Sequence, residues 1–211
     1  MILNKLGLKY GCDKSDTHHT HRGETYLDVY ENYFSKFKDS AIKFLELGVR
    51  DGASINIWQD YFQNAELILG LDINPACKNF ETRTIRIEIG SQADEELLKR
   101  IIENYGPFDI ILDDASHINE LSIKSFNLLK DAVRDGGYYI IEDLRNSYED
   151  LRGVVSSWPG MHLNDPAVNY DNSSTRKDLD DLFLSVVKDL DYRTSQFKSV
   201  NFHSQMVVLS K

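Results

Sequence analysis

Shortages come first in this 211-residue chain. It has only two cysteines, Cys12 and Cys77, without CxxC spacing, which argues against a disulfide framework and a structural zinc site. A reducing, cytoplasmic compartment is the expectation. Positive charge is scarce: 24 Lys and Arg face 34 Asp and Glu, for a formal charge of −10 and a pI near 5.0. Nucleic acid and anionic membrane surfaces both favour basic patches, so neither is an expected partner. Long apolar runs are missing too. Nowhere do they reach the 18 residues of a membrane span, and Met1-Ile2-Leu3-Asn4-Lys5 is not continued by an apolar stretch. A soluble, untargeted chain without repeats or low-complexity tracts is expected.

What remains is a sequence 41% hydrophobic, enough for one domain over residues 1–211 with a sizeable core. Short apolar or β-branched segments occur at Ile42–Leu47, Leu67–Asp72, Thr84–Ile89, Phe108–Asp113 and Tyr138–Ile141. The stretches between them carry helical spacing: Ile55, Trp58 and Phe62; Leu97, Leu98, Ile101 and Ile102, with Ser91 and Asp94 as a capping box; Ile123, Phe126, Leu129 and Val133. Alternation of this kind predicts βαβ units and an α/β fold with a parallel sheet covered on both faces. Before them, the stripe Tyr26, Tyr30, Tyr33, Phe34 and Phe37 reads as helix packing within an N-terminal helical and entrance segment, residues 1–40. After the fifth strand, residues 144–173 lose periodicity but keep Tyr148, Trp158, Met161 and Tyr170, as expected of an active-site cover. A helix capped by Thr175 and Asp178 should follow, with Leu179, Leu182, Phe183, Val186, Val187 and Leu190 buried. Phe197–Phe202 and Gln205–Leu209 should form an antiparallel pair around a turn at His203-Ser204.

In an open parallel sheet, ligands bind outside the carboxyl ends of the strands. Four of the predicted strands end there in informative residues. Glu46-Leu47-Gly48 opens into Gly52, a strand-to-helix turn with glycines where backbone must approach a ligand, and Asp72 closes the next strand, placed to accept from ribose hydroxyls. The turn is not G-x-G-x-x-G. A missing pyrophosphate fingerprint disfavours NAD and favours an adenosyl ligand without phosphates, such as S-adenosylmethionine. The other two strand ends carry Asp113-Asp114-Ala115-Ser116-His117 and Glu142-Asp143. Carboxylates near a core are costly unless paired, hydrogen-bonded or bound to a cation. Asp114, Glu142 and Asp143 would share one rim, and oxygen ligands with open positions suit Mg²⁺ better than zinc, with manganese as an alternative. His18, His19 and His21 with Cys12 and Asp16 lack the spacing of a zinc site and read as an entrance loop.

In this order the chain resembles class I S-adenosylmethionine-dependent methyltransferases, and more narrowly the metal-dependent O-methyltransferases acting on sugars of macrolide and aminocoumarin antibiotics. The segments that carry the resemblance are residues 6–14 (LGLKYGCDK), 45–48 (LELG), 70–73 (GLDI), 90–94 (GSQAD), 108–117 (FDIILDDASH) and 136–144 (GGYYIIEDL). The resemblance implies a Rossmann-like, seven-stranded sheet of order 3-2-1-4-5-7-6 with only strand 7 antiparallel. It implies metal ligation by Asp114, Glu142 and Asp143, and His117 as general base. It implies a cofactor site in which Glu46, Gly48, Gly52 and Asp72 are joined by Gln92 beside adenine and Asp113 beside the methionine portion. The expected partner is a small-molecule hydroxyl acceptor, glycosylated or polyol-like, and a homo-oligomer is compatible with the sequence.

Departures limit the transfer. Ser91 stands where such families commonly have Asp, Ala115 where glycine is usual, and Arg145-Asn146-Ser147-Tyr148-Glu149 departs from x-Thr-Ser-Tyr-Trp. Substrate identity is therefore not carried over, and His162 stays open between substrate contact and plain surface. An NAD-dependent oxidoreductase and a non-catalytic carbohydrate-binding or assembly module remain the alternatives.

Overall fold

The computed structural model describes residues 1–15, 23–148 and 176–211. The histidines 18, 19 and 21, Asp16, most of the expected cover with Trp158, Met161, His162 and Tyr170, and the cap at Thr175 lie outside the described residues. In chain order come α1 (Ile2–Tyr10), α2 (Tyr26–Phe34), β1 (Lys43–Leu47), α3 (Ala53–Tyr61), β2 (Leu67–Asp72), β3 (Ile85–Ile89), α4 (Glu95–Tyr105), β4 (Phe108–Asp113), α5 (Asn119–Leu129), β5 (Val133–Ile141), α6 (Arg176–Asp191), β6 (Ser199–His203) and β7 (Met206–Ser210).

The strands form one seven-stranded sheet, ordered β3-β2-β1-β4-β5-β7-β6. β1 pairs in parallel with β2 and β4, β2 with β3, and β4 with β5. Only β7 runs antiparallel, to β5 on one side and β6 on the other. The central strands are near-continuous apolar runs because both faces are covered. One face packs against α1, α2 and α3, where Phe44 stacks on Trp58 at 5.2 Å between centroids and Tyr30 on Phe34 at 5.0 Å. The other packs against α4, α5 and α6 through Leu98, Ile101, Phe126, Tyr139 and Phe183. Burial of a side chain such as Phe44 contributes about 1.5–3 kcal/mol, so this aromatic wall fixes α2, which reaches the candidate site below.

Several sequence expectations change. Val133 does not continue the α5 stripe; a 3₁₀ turn at Lys130–Ala132 ends the helix and Val133 opens β5. β5 consequently starts five residues before Tyr138. Asp135-Gly136-Gly137 looks like a turn in sequence but lies inside the strand, beside a register irregularity between Phe108 and Ile110 of β4, with Gly136 at φ 82°. Such an irregularity bends a strand without ending it. Ser91 and Asp94 do not make one capping box. Asp94 alone caps α4, accepting from Leu97 N at 3.0 Å, while Ser91 Oγ accepts from Ala93 N. On α6 only Leu179, Phe183 and Val186 are buried, and Val187 is exposed, a narrower stripe than predicted. The hairpin is tighter as well: His203 pairs with Met206, so Ser204-Gln205 is the turn, and His203 is a strand residue whose Nε2 lies 2.8 Å from the Tyr33 hydroxyl.

Candidate active site

The strand order reverses direction beside β1, and the carboxyl ends of β1, β4 and β5 form a crevice there. At the β1 end the turn is held by backbone. Asp72 Oδ2 accepts from Val49 N and Arg50 N, each at 2.8 Å, and its Oδ1 accepts from Asn74 N. Gly48 has φ 91°, and a Cβ there would stand 2.2 Å from the carbonyl oxygen of Asp114. Gly52 has φ 80°, with the Phe80 ring 2.7 Å from where its Cβ would be. Both glycines are required by positive φ and by close approach. Glu46 is fully buried. Its Oε1 accepts from Trp58 Nε1 at 3.0 Å, and its Oε2 has no donor among the described residues. Burial pushes the Glu46 carboxyl up to about 7, against the opposing pull of Lys14 and Trp58.

Gln92 and Asp113 are brought to each other. Gln92 Nε2 donates to both oxygens of Asp113, at 3.0 and 3.2 Å, and Gln92 Oε1 accepts from Ser116 N at 2.9 Å. Ser125 of α5 donates to Asp113 Oδ2 at 2.9 Å. Asp113 is buried, which pushes its carboxyl up to about 6. These contacts clamp the loop after β4, a link between the two ends of the crevice that the sequence did not reveal.

That loop carries Asp114 and His117, and the neighbouring strand β5 delivers Glu142 and Asp143 to the same rim. His117 Nε2 lies 3.4 Å from Asp143 Oδ2 and 4.0 Å from Asp114 Oδ1. Potential ligand atoms of Asp114, His117 and Asp143 all fall within 4.8 Å of one another. Glu142 sits deeper, with one oxygen accepting from the Tyr30 hydroxyl and Oε2 2.6 Å from Lys14 Nζ. Lys14 also contacts Asp114 Oδ2, and the Tyr26 hydroxyl donates to Asp143 Oδ1 at 2.8 Å. Burial alone would drive Lys14 neutral, but Asp114 and Glu142 hold its ammonium charged, well above its ordinary range. Burial and the nearby Asp143 and Glu142 charges raise the Tyr26 phenol, which stays a hydrogen-bond donor. His117 and Asp143 both adopt left-handed backbone, φ 57° and 55°, as does Arg50 at 53°. Non-glycine residues pay for that conformation, and such strain clusters at functional sites.

The structure brings Asp114, His117 and Asp143 together as a compact group of possible ligands, with Glu142 behind them, while Glu46, Gly48, Gly52 and Asp72 lie at the ends of β1 and β2 or in the turn that follows, and Gln92 meets Asp113. Three participants were missed. Lys14 lies in a polar segment with no periodicity to signal burial. Tyr26 and Tyr30 were read as packing, and their rings do pack, but a capping box between Thr25 and Asp28 starts α2 so that their hydroxyls reach the acids. The oxygen-rich donor set fits a hard divalent cation such as Mg²⁺. The unpaired, buried Glu46 Oε2 fits a ligand that brings a hydrogen-bond donor to the other end.

Arg176 closes the neighbourhood, donating to Ser147 Oγ at 2.6 Å with its guanidinium 4.5 Å from the Tyr148 ring centroid. The flanks of residues 149–175 thus meet beside the site.

The sheet order and the crevice define a class I methyltransferase fold. No family model matches the chain. It is 34% identical over 165 residues to L-olivosyl-oleandolide 3-O-methyltransferase of Streptomyces antibioticus, which covers 75% of this chain and 39% of that protein. It is 38% identical over 139 residues to mycinamicin VI 2''-O-methyltransferase of Micromonospora griseorubida, covering 63% and 32%. Among solved structures, the MycE methyltransferase of the mycinamycin biosynthetic pathway, in complex with Mg, SAH and mycinamycin VI, superposes with a TM-score of 0.76 at 28% identity, over 100% of this chain and 54% of that one. The chain thus spans about half, or less, of the length of these relatives. It belongs to the class I S-adenosylmethionine-dependent methyltransferases and is related to the sugar O-methyltransferases of macrolide antibiotic biosynthesis. These relatives point away from the nicotinamide-oxidoreductase alternative. Among the described residues no helix is long and apolar enough to cross a membrane.

Proposed function

We propose that this chain, acting as a single domain, transfers a methyl group from S-adenosylmethionine to a hydroxyl of a small sugar-containing or polyol metabolite, with Mg²⁺ as the resident cation. The observation that carries this reading is the meeting of Asp114, His117 and Asp143 at the mouth of the crevice whose other end is the Gly48–Asp72 turn. A divalent ion held by Asp114, Glu142 and Asp143 supplies Lewis-acid polarisation of the acceptor hydroxyl. S-adenosylmethionine supplies a methyl group already activated as a sulfonium, so no covalent enzyme intermediate is required.

The residues do the rest. Gly48, Gly52, Asp72 and Gln92 shape the adenosyl site, and Glu46 Oε2 accepts a donor from the amino-acid portion of the cofactor, with Asp113 keeping the intervening loop in place. His117 Nε2 takes the hydroxyl proton, a task suited to imidazole near neutral pH. The acceptor oxygen forms its bond to the methyl carbon as the carbon–sulfur bond breaks, and alignment of the two is the main contribution of the fold. The relatives' sugar-bearing acceptors, named in mycinamycin VI and L-olivosyl-oleandolide, support a glycosylated acceptor. Buried free thiols at Cys12 and Cys77 support a cytoplasmic location.

An acceptor screen with labelled S-adenosylmethionine, run with Mg²⁺ and after chelation and followed by product mapping, tests the proposal. The expected product is a methylated hydroxyl formed only with the metal. Full activity after rigorous metal removal, or transfer only to amines, overturns it.

A further inference from the structure

The short turn Asp13–Ser15 touches both ends of the crevice. Asp13 Oδ2 lies 2.8 Å from Arg50 Nη1 on the glycine turn, while the next side chain, Lys14, is 5% exposed and ends between Asp114 and Glu142. Buried lysines are rare unless paired, and a buried pair by itself is weak evidence for stability, since apolar residues can do as well. Partner choice is the informative feature here. Lys14 spans two of the three acids proposed to hold the ion. It does so on Asp114 Oδ2, leaving Oδ1 on the side facing His117.

Charge sharpens the point. Three carboxylates around one divalent ion leave a single negative charge uncompensated, in a place where uncompensated charge is costly. The Lys14 ammonium stands where it can balance that charge.

We infer that Lys14 is a positioning residue for the divalent ion: it holds Asp114 and Glu142 in place before the ion binds, stays on their outer oxygens afterwards, and balances the charge the ion leaves over. The inference rests on the metal reading of the site. It carries a cost that can be measured, because two cations sharing the same carboxylates repel each other. Lys14 therefore weakens ion binding while keeping the acids oriented for the reaction.

The test is Lys14→Met in the full chain, compared with Lys14→Arg and wild type by calorimetric titration with MgCl₂, by melting temperature with and without Mg²⁺, and by turnover. A positive charge removed at this distance should tighten Mg²⁺ binding about tenfold or more. The Mg²⁺-dependent rise in melting temperature should be larger than in wild type, while kcat falls. Lys14→Arg, which keeps the charge, should return Mg²⁺ affinity to near the wild-type value. A purely structural lesion would weaken the metal instead. If Lys14→Met does not fold, Lys14→Gln, which retains an N–H donor, carries the same expectation. Unchanged or weaker Mg²⁺ affinity in a folded neutral variant, or equal tightening in Lys14→Arg, overturns the role of Lys14 and leaves the metal reading intact. Wild-type protein that binds no Mg²⁺ at all removes the metal reading, and the inference with it.

Discussion

The two ends of the crevice are built in opposite ways. At the β1 and β2 end the working parts are backbone: Gly48 and Gly52 in positive φ, and Asp72 spending its oxygens on Val49 N, Arg50 N and Asn74 N. At the β4 and β5 end they are side chains of like charge, Asp114, Glu142 and Asp143, held by Lys14, Tyr30 and Tyr26. The first end is complete without a ligand except for Glu46 Oε2. The second is a repulsive cluster steadied by a lysine and two phenols, so its order depends on what binds there. One end should behave as a rigid cradle and the other as an electrostatic balance.

Gly48 is where the ends meet, because its missing Cβ makes room for the carbonyl of Asp114. Gly48→Ala should therefore break both. We expect a loss of about 3 kcal/mol or more in urea unfolding, since the substitution combines backbone strain with a clash against main chain. Calorimetry should show weaker S-adenosylmethionine and Mg²⁺ binding together. Loss of cofactor affinity alone would mean the ends are less connected than the structure implies.

His117→Ala should separate them. Turnover is expected to fall about 10²–10⁴-fold, the usual contribution of a general base, with S-adenosylmethionine affinity near wild type. An unchanged rate in single-turnover experiments would remove His117 from the reaction.

The smallest expected effect belongs to Glu46 and appears as a pH slope. Its folded-state value, about 7, lies above the ordinary carboxylate range because of burial. The folded protein therefore binds the proton more tightly than the unfolded chain, and the associated stability is fully present below about pH 4 and lost as pH rises through 7. Glu46→Gln removes that titration. Relative to wild type, the variant should gain stability between pH 4.5 and 7.5, by an amount on the order of a few kcal/mol, read from urea unfolding at a series of pH values. A flat difference across that range would show that Glu46 is ionised in the fold.

Much of this was legible in the sequence because the signals were periodic. β2 and β4 run over the predicted residues, since Leu67–Asp72 and Phe108–Asp113 are largely apolar runs, interrupted only by Gly70 and Asp109 and closed by an acid. The acids at the strand ends were equally visible, because carboxylates there contradict the pattern around them. β5 is longer than the predicted Tyr138–Ile141 because Asp135-Gly136-Gly137 carries none of the apolar or β-branched residues by which a strand is recognised in sequence. Lys14, Tyr26 and Tyr30 were out of reach for another reason. Periodicity says which face a residue occupies, but not where a long side chain or a phenolic hydroxyl ends, and those end points lie just past strands a hundred or more residues along the chain.

The left-handed backbone at Arg50, His117 and Asp143 follows β1, β4 and β5. An L-residue in that conformation gives up about 1–2 kcal/mol, which glycine would not. For a protein engineer these positions are attractive and misleading at once. A screen for heat resistance that ignores catalysis would favour glycine at 117 and 143, and would select a hardier scaffold from which the proposed base and one of the proposed ligands had been erased.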